Sequence, residues 1–398
     1  MHKPMPDRAA PHVAMLVRNP YTHDSRVEKE AATLRDAGYR VTVVADAAPG
    51  LPEAEVTDGV TVMRVPRAIG SIPGARYMAH DMKLAGVLTA LHPAVLHAHD
   101  SNALLPVGLA ASRLQVPFVY DAHELWLHRP QRGHHRIYHE ASRAYYAALQ
   151  RWLVPRASAV LTVSPPIQRH LARVYRVPVD LVPNYPVLGQ PAIAGPLRAR
   201  LGSGVPEEAP IILHLGGMMA TRGLEELLTS MRGVEQAHLV FLGGGDSAPL
   251  LQLARELDII DRVHILPPVR PTEVEAYAAA ADVGVVTTQP IGLNNRYSLP
   301  NKLFQYMVAG IAVLASDFPQ VREVVLGSGA GLVADTQRPD AIADALNDLL
   351  RDRATRRAMG TRGRAAIEEQ YNWSTSASAL LAAYGRTASE PGAGVGPR

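Results

Sequence analysis

The stretch SLPNKLFQYMVAG (Ser298–Gly310) runs straight into IAVLASD (Ile311–Asp317). Proline suits the first position of a helix, where its missing N–H would have no partner, so a helix is expected from Pro300. Leu303, Tyr306 and Met307 then form an apolar stripe, and Gly310 closes the helix. The fully apolar run that follows at once reads as a buried strand. Lysine is scarce in this chain, confined to Lys3, Lys29, Lys83 and Lys302. Lys302 falls in the first turn of this helix, where free backbone N–H groups and the helix dipole favour an anion.

The same alternation extends in both directions. Short β-branched apolar runs occur at 12–17, 41–45, 60–65, 95–99, 118–122 and 159–164, and again at 211–217, 238–243, 263–267, 283–288, 311–316 and 331–335. Continuous apolar strands alternating with helical segments predict an α/β fold of two doubly wound parallel sheets, with ligands at the carboxyl ends of the strands. VPNYPVLGQPAIAGP (182–196), rich in proline and glycine, marks the division. The expected domains are 1–187 and 206–375, with a linker at 188–205, a C-terminal helix at 376–386 packing back on the first domain, and a disordered Gly/Pro-rich tail at 387–398.

With 398 residues, two cores are the natural expectation. A net charge of +3 is too small to argue for nucleic acid. The absence of cysteine excludes disulfides, thiolate metal sites and a thiol nucleophile. The N-terminus lacks a signal-peptide pattern, and no run reaches the roughly 18–20 apolar residues of a membrane span. A cytoplasmic protein is expected, with at most peripheral contact at the inner face of the membrane; Arg129, Arg132, Arg136 and Arg143 could meet a lipid phosphate, a membrane surface or simply water.

Two glycine-rich turns follow strands: Gly216-Gly217 leading to Arg222, and Gly243-Gly244-Gly245. Glycines there let backbone N–H groups approach a phosphate, and arginine adds a charged fork. Each also reads as a plain strand-to-helix turn, and neither is a dinucleotide or P-loop fingerprint. Asp121, His123 and Glu124 crowd the end of another apolar run. His97 and His99 share one strand face, which resembles a metal pair without a clear third ligand. His134, His135 and His139 read as a solvated helix face. Ser25 and Glu28 read as a capping box, behind the polar loop Asn19-Pro-Tyr-Thr-His23 and Asp24.

Taken in order, these segments resemble glycosyltransferase family 4, the retaining nucleotide-sugar transferases of the GT-B fold, whose two Rossmann-like domains face each other across a cleft. The resemblance rests on NPYTHDSRVEKEAATLRDAGYRVTVVA (19–45), HAHD (97–100), VYDAHELW (119–126), LTVSPPI (161–167), VPNYP (182–186), LGGMMATRG (215–223), FLGGG (241–245), DRVHILPPV (261–269), AAADVGVV (279–286), Ser298–Asp317 and YNWS (371–374). It implies transfer of a sugar, most commonly from a UDP-linked donor, to a hydroxyl acceptor such as a glycan, a lipid-linked sugar or a natural product, with no metal or other cofactor. The chain holds no DxD, in keeping with that.

Carried over by position, His123, Arg222 and Lys302 are the expected catalytic residues. Gly216, Gly217, Gly243, Gly244, Ile265, Pro267, Val269, Ser298, Leu299, Asn301 and Gln305 would bind the donor. Asn19, His23, Asp24 and Glu124 would lie on the acceptor side. The chain departs from the family pattern at Gly217, which replaces an arginine, and at Tyr297 and Gln305, which replace glutamates. Lys302 would offset the missing arginine. A nucleotide-sugar epimerase on the same fold, or a non-catalytic nucleotide-sugar-binding protein, are the competing readings.

Overall fold

The computed structural model describes residues 10–22, 24–67, 73–129, 136–190, 192–202 and 204–389. His23, His134 and His135 therefore lie outside the described residues, as does the tail beyond Ser389. Two compact units emerge. The first comprises Met1–Leu127, Gln131–Pro183 and Ser376–Arg398; the second comprises His128–Pro130 and Asn184–Thr375.

Among the described residues the first unit holds β1 (His12–Leu16), β2 (Arg40–Asp46), β3 (Ala54–Thr57), β4 (Val60–Val65), β5 (Val95–His99), β6 (Phe118–Ala122), β7 (Ala159–Thr162) and β8 (Asp180–Leu181). They form one sheet in the order β3-β4-β2-β1-β5-β6-β7-β8, parallel except for β3 against β4. The second unit holds β9 (Ile211–Leu215), β10 (His238–Leu242), β11 (Val263–Leu266), β12 (Val283–Val286), β13 (Ala312–Ser316) and β14 (Gly331–Ala334), in the order β11-β10-β9-β12-β13-β14, all parallel. Every residue of β1, β5, β6, β9, β10 and β13 is buried. Burial on both faces is why these strands are mostly apolar along their length rather than alternating, with His97, His99, Asp121 and His214 among the buried polar exceptions.

The opening stretch folds as helix Asn301–Val308. Pro300 is one position earlier than expected: it is the N-cap, with extended backbone (φ −68°, ψ 130°), and Asn301 begins the helix. Gly310 (φ +70°) does close it, with its N–H on the Met307 carbonyl and the Ile311 N–H on the Tyr306 carbonyl. That crossed pair is the Schellman ending, which favours glycine for its positive φ. Leu303, Tyr306 and Met307 are fully buried in the second core.

Tyr306 has a further task. β12 pairs with β9 only at Val283–Ile212 and Gly284–Leu213, after which the two strands part. The Tyr306 hydroxyl bridges the gap, accepting from Leu215 N at 2.9 Å and lying 2.9 Å from the Leu213 carbonyl.

Three expectations meet a different outcome. The helix Ser25–Asp36 is capped by Asp24, whose carboxylate accepts from Val27 N, and Ser25 is its first residue. Residues 188–205, expected as linker, include helix Leu197–Leu201, whose Leu197 is fully buried in the second core. The final helix runs Trp373–Ser389, longer than expected at both ends, so 387–389 are helical. Its Leu380, Ala383 and Tyr384 are buried, and Ser376 Oγ donates to the Pro183 carbonyl.

Candidate functional site

In a doubly wound sheet, the strand order reverses direction at a switch point, and the loops leaving that point splay apart to form a crevice. The first sheet switches between β1 and β5, and the second between β9 and β12. The side chains singled out by the sequence gather at these two places.

In the second unit, Gly216 and Gly217 leave the end of β9 and Gly243 and Gly244 leave β10 beside them. Gly216 N donates to Leu242 O, and Met218 N to Gly244 O. The two turns touch backbone to backbone: a Cβ on Gly243 would stand 2.1 Å from the Gly216 carbonyl oxygen. Lys302 rises against this loop, its Nζ 4.0 Å from where a Gly216 Cβ would be and 3.4 Å from His214 Nε2. Burial, followed by the charge of Arg222, pushes the Lys302 amine well below its ordinary pKa. Burial, followed by Lys302 and Arg222, pushes the His214 pKa well below its ordinary value.

The backbone at Arg222 is fixed by Thr287 Oγ1, which donates to its carbonyl from the end of β12. Exposed backbone at Gly216, Gly217 and Gly244 thus lies near the Lys302 amine and the Arg222 guanidinium, a chemistry suited to a diphosphate.

Ser298 Oγ donates to the Asn295 carbonyl, Leu299 packs on the second core, and Asn301 is exposed and accepts from Asn184 Nδ2. Gln305 is half-buried one turn after Asn301. Ile265 pairs with Phe241, while Pro267 is exposed and Val269 half-buried just beyond β11, beside the Gly243 turn whose N–H binds Leu266 O.

In the first unit, a buried polar network stands at the ends of β5 and β6. Arg26 forks onto Asp121 at 2.8 and 2.7 Å and donates to the Val182 carbonyl. His123 Nε2 lies 2.8 Å from Asp121 Oδ2, and its Nδ1 lies 3.5 Å from Asp100 Oδ2. Burial alone would lower the His123 pKa, but Asp100 and Asp121 override it and raise it to about 10. His123 is therefore a cation at neutral pH. Both ring nitrogens face carboxylates, so the ring is held between Asp100 and Asp121 at the ends of β5 and β6.

His97 and His99 do have acidic neighbours that the sequence reading lacked. Glu30 and Asp121 complete a group of four whose ligand atoms lie within 4.8 Å of one another. Arg26 already serves both carboxylates, lying 3.1 Å from Glu30, and burial together with Asp121 raises the Glu30 pKa to about 8. The Asp121 carboxylate thus finds its positive charge in Arg26, within the chain.

Asn19 and Asp24 are joined, Asn19 Nδ2 donating to Asp24 Oδ2 at 2.7 Å, and Tyr21 N donates to Asn19 Oδ1. Glu124 is half-buried beside His123 and adds its charge to that felt by Asp100. His139 is half-buried on helix Arg136–Leu153, whose Tyr138 and Trp152 are exposed.

Sequence reasoning missed Arg26, Glu30 and Asp100. The last was visible as the end of HAHD, but its backbone conformation (φ +63°, ψ 172°) was not.

Among proteins of known sequence, the model of Glycosyltransferase Family 4 matches residues 25–185 and that of Glycosyl transferases group 1 matches residues 198–366. A GDP-mannose-dependent α-(1-6)-phosphatidylinositol monomannoside mannosyltransferase of Mycobacterium tuberculosis is 32% identical over 48% of this chain and 50% of its own. A D-inositol 3-phosphate glycosyltransferase of Xylanimonas cellulosilytica is 33% identical over 54% of this chain and 51% of its own. The chain thus spans about half the length of these curated relatives. Among solved structures, sucrose-phosphate synthase from Thermosynechococcus elongatus superposes with a TM-score of 0.77 at 21% identity, covering 94% of this chain and 98% of that one. With the two family models falling on the two units in turn, and the fold shared with a GT-B enzyme, the chain belongs to the family 4 glycosyltransferases.

Proposed function

We propose that the protein transfers a sugar from a nucleotide diphosphate sugar to a hydroxyl acceptor, with retention of the anomeric configuration and without a metal. The observation that carries this is the pairing of Lys302 and Arg222 with the exposed backbone of Gly216, Gly217 and Gly244 at the β9/β12 switch point. The bond between the sugar's anomeric carbon and the β-phosphate oxygen breaks, the acceptor oxygen attacks from the same face, and the acceptor proton passes to the departing phosphate. The protein's contribution is electrostatic: Lys302, Arg222 and the N-terminus of helix Asn301–Val308 stabilise the negative charge that grows on the leaving diphosphate.

The nucleotide is UDP or GDP. The family resemblance favours the first, and the GDP-mannose dependence named for the mycobacterial relative favours the second. The acceptor is a polyol or glycan hydroxyl, free or lipid-linked, in line with the inositol-based acceptors named for both curated relatives. A cytoplasmic protein fits this role; among the described residues, no helix is long and apolar enough to cross a membrane.

The test is a melting-temperature and product screen with UDP-glucose, GDP-mannose and a dTDP-sugar, in EDTA, with D-inositol 3-phosphate as acceptor. Stabilisation by one donor and formation of a glycosylated polyol are expected. No stabilisation by any donor would refute the reading, and conversion of donor without acceptor would establish an epimerase instead.

A further inference from the structure

Asp100 occupies backbone space that is almost closed to it. At φ +63° and ψ 172° it lies in a region that essentially only glycine populates, and such residues persist where the surroundings hold them for a purpose. Its own N–H binds the Asp121 carbonyl at 2.8 Å, and its Oδ1 accepts from His123 N at 3.1 Å. A glycine would keep the first of these bonds and remove the strain. The carboxylate is thus the only part of the residue that the conformation serves.

That carboxylate stands at the end of β5, beside the β1/β5 switch point. About a fifth of its side chain is exposed, whereas Asp121 behind it is sealed. Asp121 and Arg26 neutralise each other, and His123 is fixed between the two carboxylates. Asp100 stays partly exposed beside the equally exposed ring of His123, with Glu124 and Asp121 also in its surroundings. A carboxylate there accepts hydrogen bonds from neutral donors.

Resting on the transferase reading, we propose that Asp100 is a substrate-binding residue that accepts a hydrogen bond from a sugar or polyol hydroxyl, with Asp121 and Arg26 positioning His123 behind it. The hydroxyl belongs either to the transferred sugar or to the acceptor. Both present the same chemistry, and binding measurements separate them.

Two variants of the full chain test this. Asp100→Gly relieves the backbone and is expected to raise Tm by about 2–4 °C while turnover falls by a factor on the order of 10². Asp100→Asn keeps the size and the strain, so its Tm stays at the wild-type value while turnover still falls. The donors are UDP-glucose and GDP-mannose, and the polyol is D-inositol 3-phosphate. Weaker donor binding by calorimetry would assign the hydroxyl to the transferred sugar. Unchanged donor binding with a raised KM for the polyol would assign it to the acceptor.

The proposal is overturned if Asp100→Gly is no more stable than wild type, or if either variant keeps wild-type kcat/KM. Should wild type turn over none of these probes, the transferase reading fails by itself. Equal binding of all three probes by wild type and Asp100→Asn would then overturn the Asp100 role, and weaker binding by the variant would sustain it.

Discussion

At the scale of single residues, charge is set by neighbours more than by side-chain type. His123 carries its proton to about pH 10 because Asp100 and Asp121 outweigh the effect of burial. A group whose pKa is raised on folding stabilises the fold fully below its unfolded value, and that contribution is lost as pH rises through the folded value. Stability should therefore decline between pH 6.5 and about 10, and Asp121→Asn should flatten that slope in denaturant titrations across the range. A His123 ring that titrates near neutrality by NMR would contradict the geometry.

Arg222 is the complementary case: removing its guanidinium should lower turnover on the order of 10²–10³-fold while leaving the circular dichroism spectrum unchanged. Lys302 and Arg222 were legible in the sequence because each lies in a local turn signal. Arg26 was not, since it is defined by Asp121, 95 positions away. The Asp100 conformation has no signature in residue type at all.

At the scale of elements, the apolar strands announced themselves because a sheet covered on both faces needs unbroken runs of apolar residues. β3 and β8 did not. The first is AEVT, largely exposed on an antiparallel edge, and the second is a two-residue DL. Neither buries enough apolar surface to leave a pattern. The helix Asn301–Val308 was legible in type, but its role at the sheet was hidden, since Tyr306 read as one more apolar stripe position. Its hydroxyl completes the hydrogen bonding where β9 and β12 part. Tyr306→Phe leaves Leu215 N–H buried without its acceptor, which should cost about 1–3 kcal/mol. Urea unfolding followed in the second unit would show the loss; a change below a few tenths of a kcal/mol would mean that water replaces the hydroxyl.

At the scale of the whole molecule, the chain order and the folding units differ. The first unit is closed by the last helix, which supplies Leu380, Ala383 and Tyr384 to its core. Tyr384 also pairs its hydroxyl with His97 Nδ1 at 2.8 Å, inside the network behind His123. Removing residues 376–398 should therefore unfold the first unit although its described strands all lie before Val182. Nucleotide-sugar binding by the second unit should survive. Calorimetric melting would show one transition lost and one still raised by donor. The family resemblance found both units from their motifs, but the boundary at Pro183 depends on packing that composition does not record.

Lys302 is buried beside Arg222 and a neutral His214, so the empty protein holds this amine against its charge. A diphosphate arriving at the Gly216–Gly217 turn reverses the balance by placing negative charge where burial alone had opposed the ammonium form. If the proposed diphosphate binds there, the pKa of the Lys302 amine rises, and whatever protonation the empty site lacks is made up from solvent. The observed binding enthalpy should shift with the ionisation enthalpy of the buffer, and affinity should strengthen as pH falls. Lys302→Met should abolish both effects. In this way, a single buried lysine would couple the binding of the proposed donor to the acidity around it.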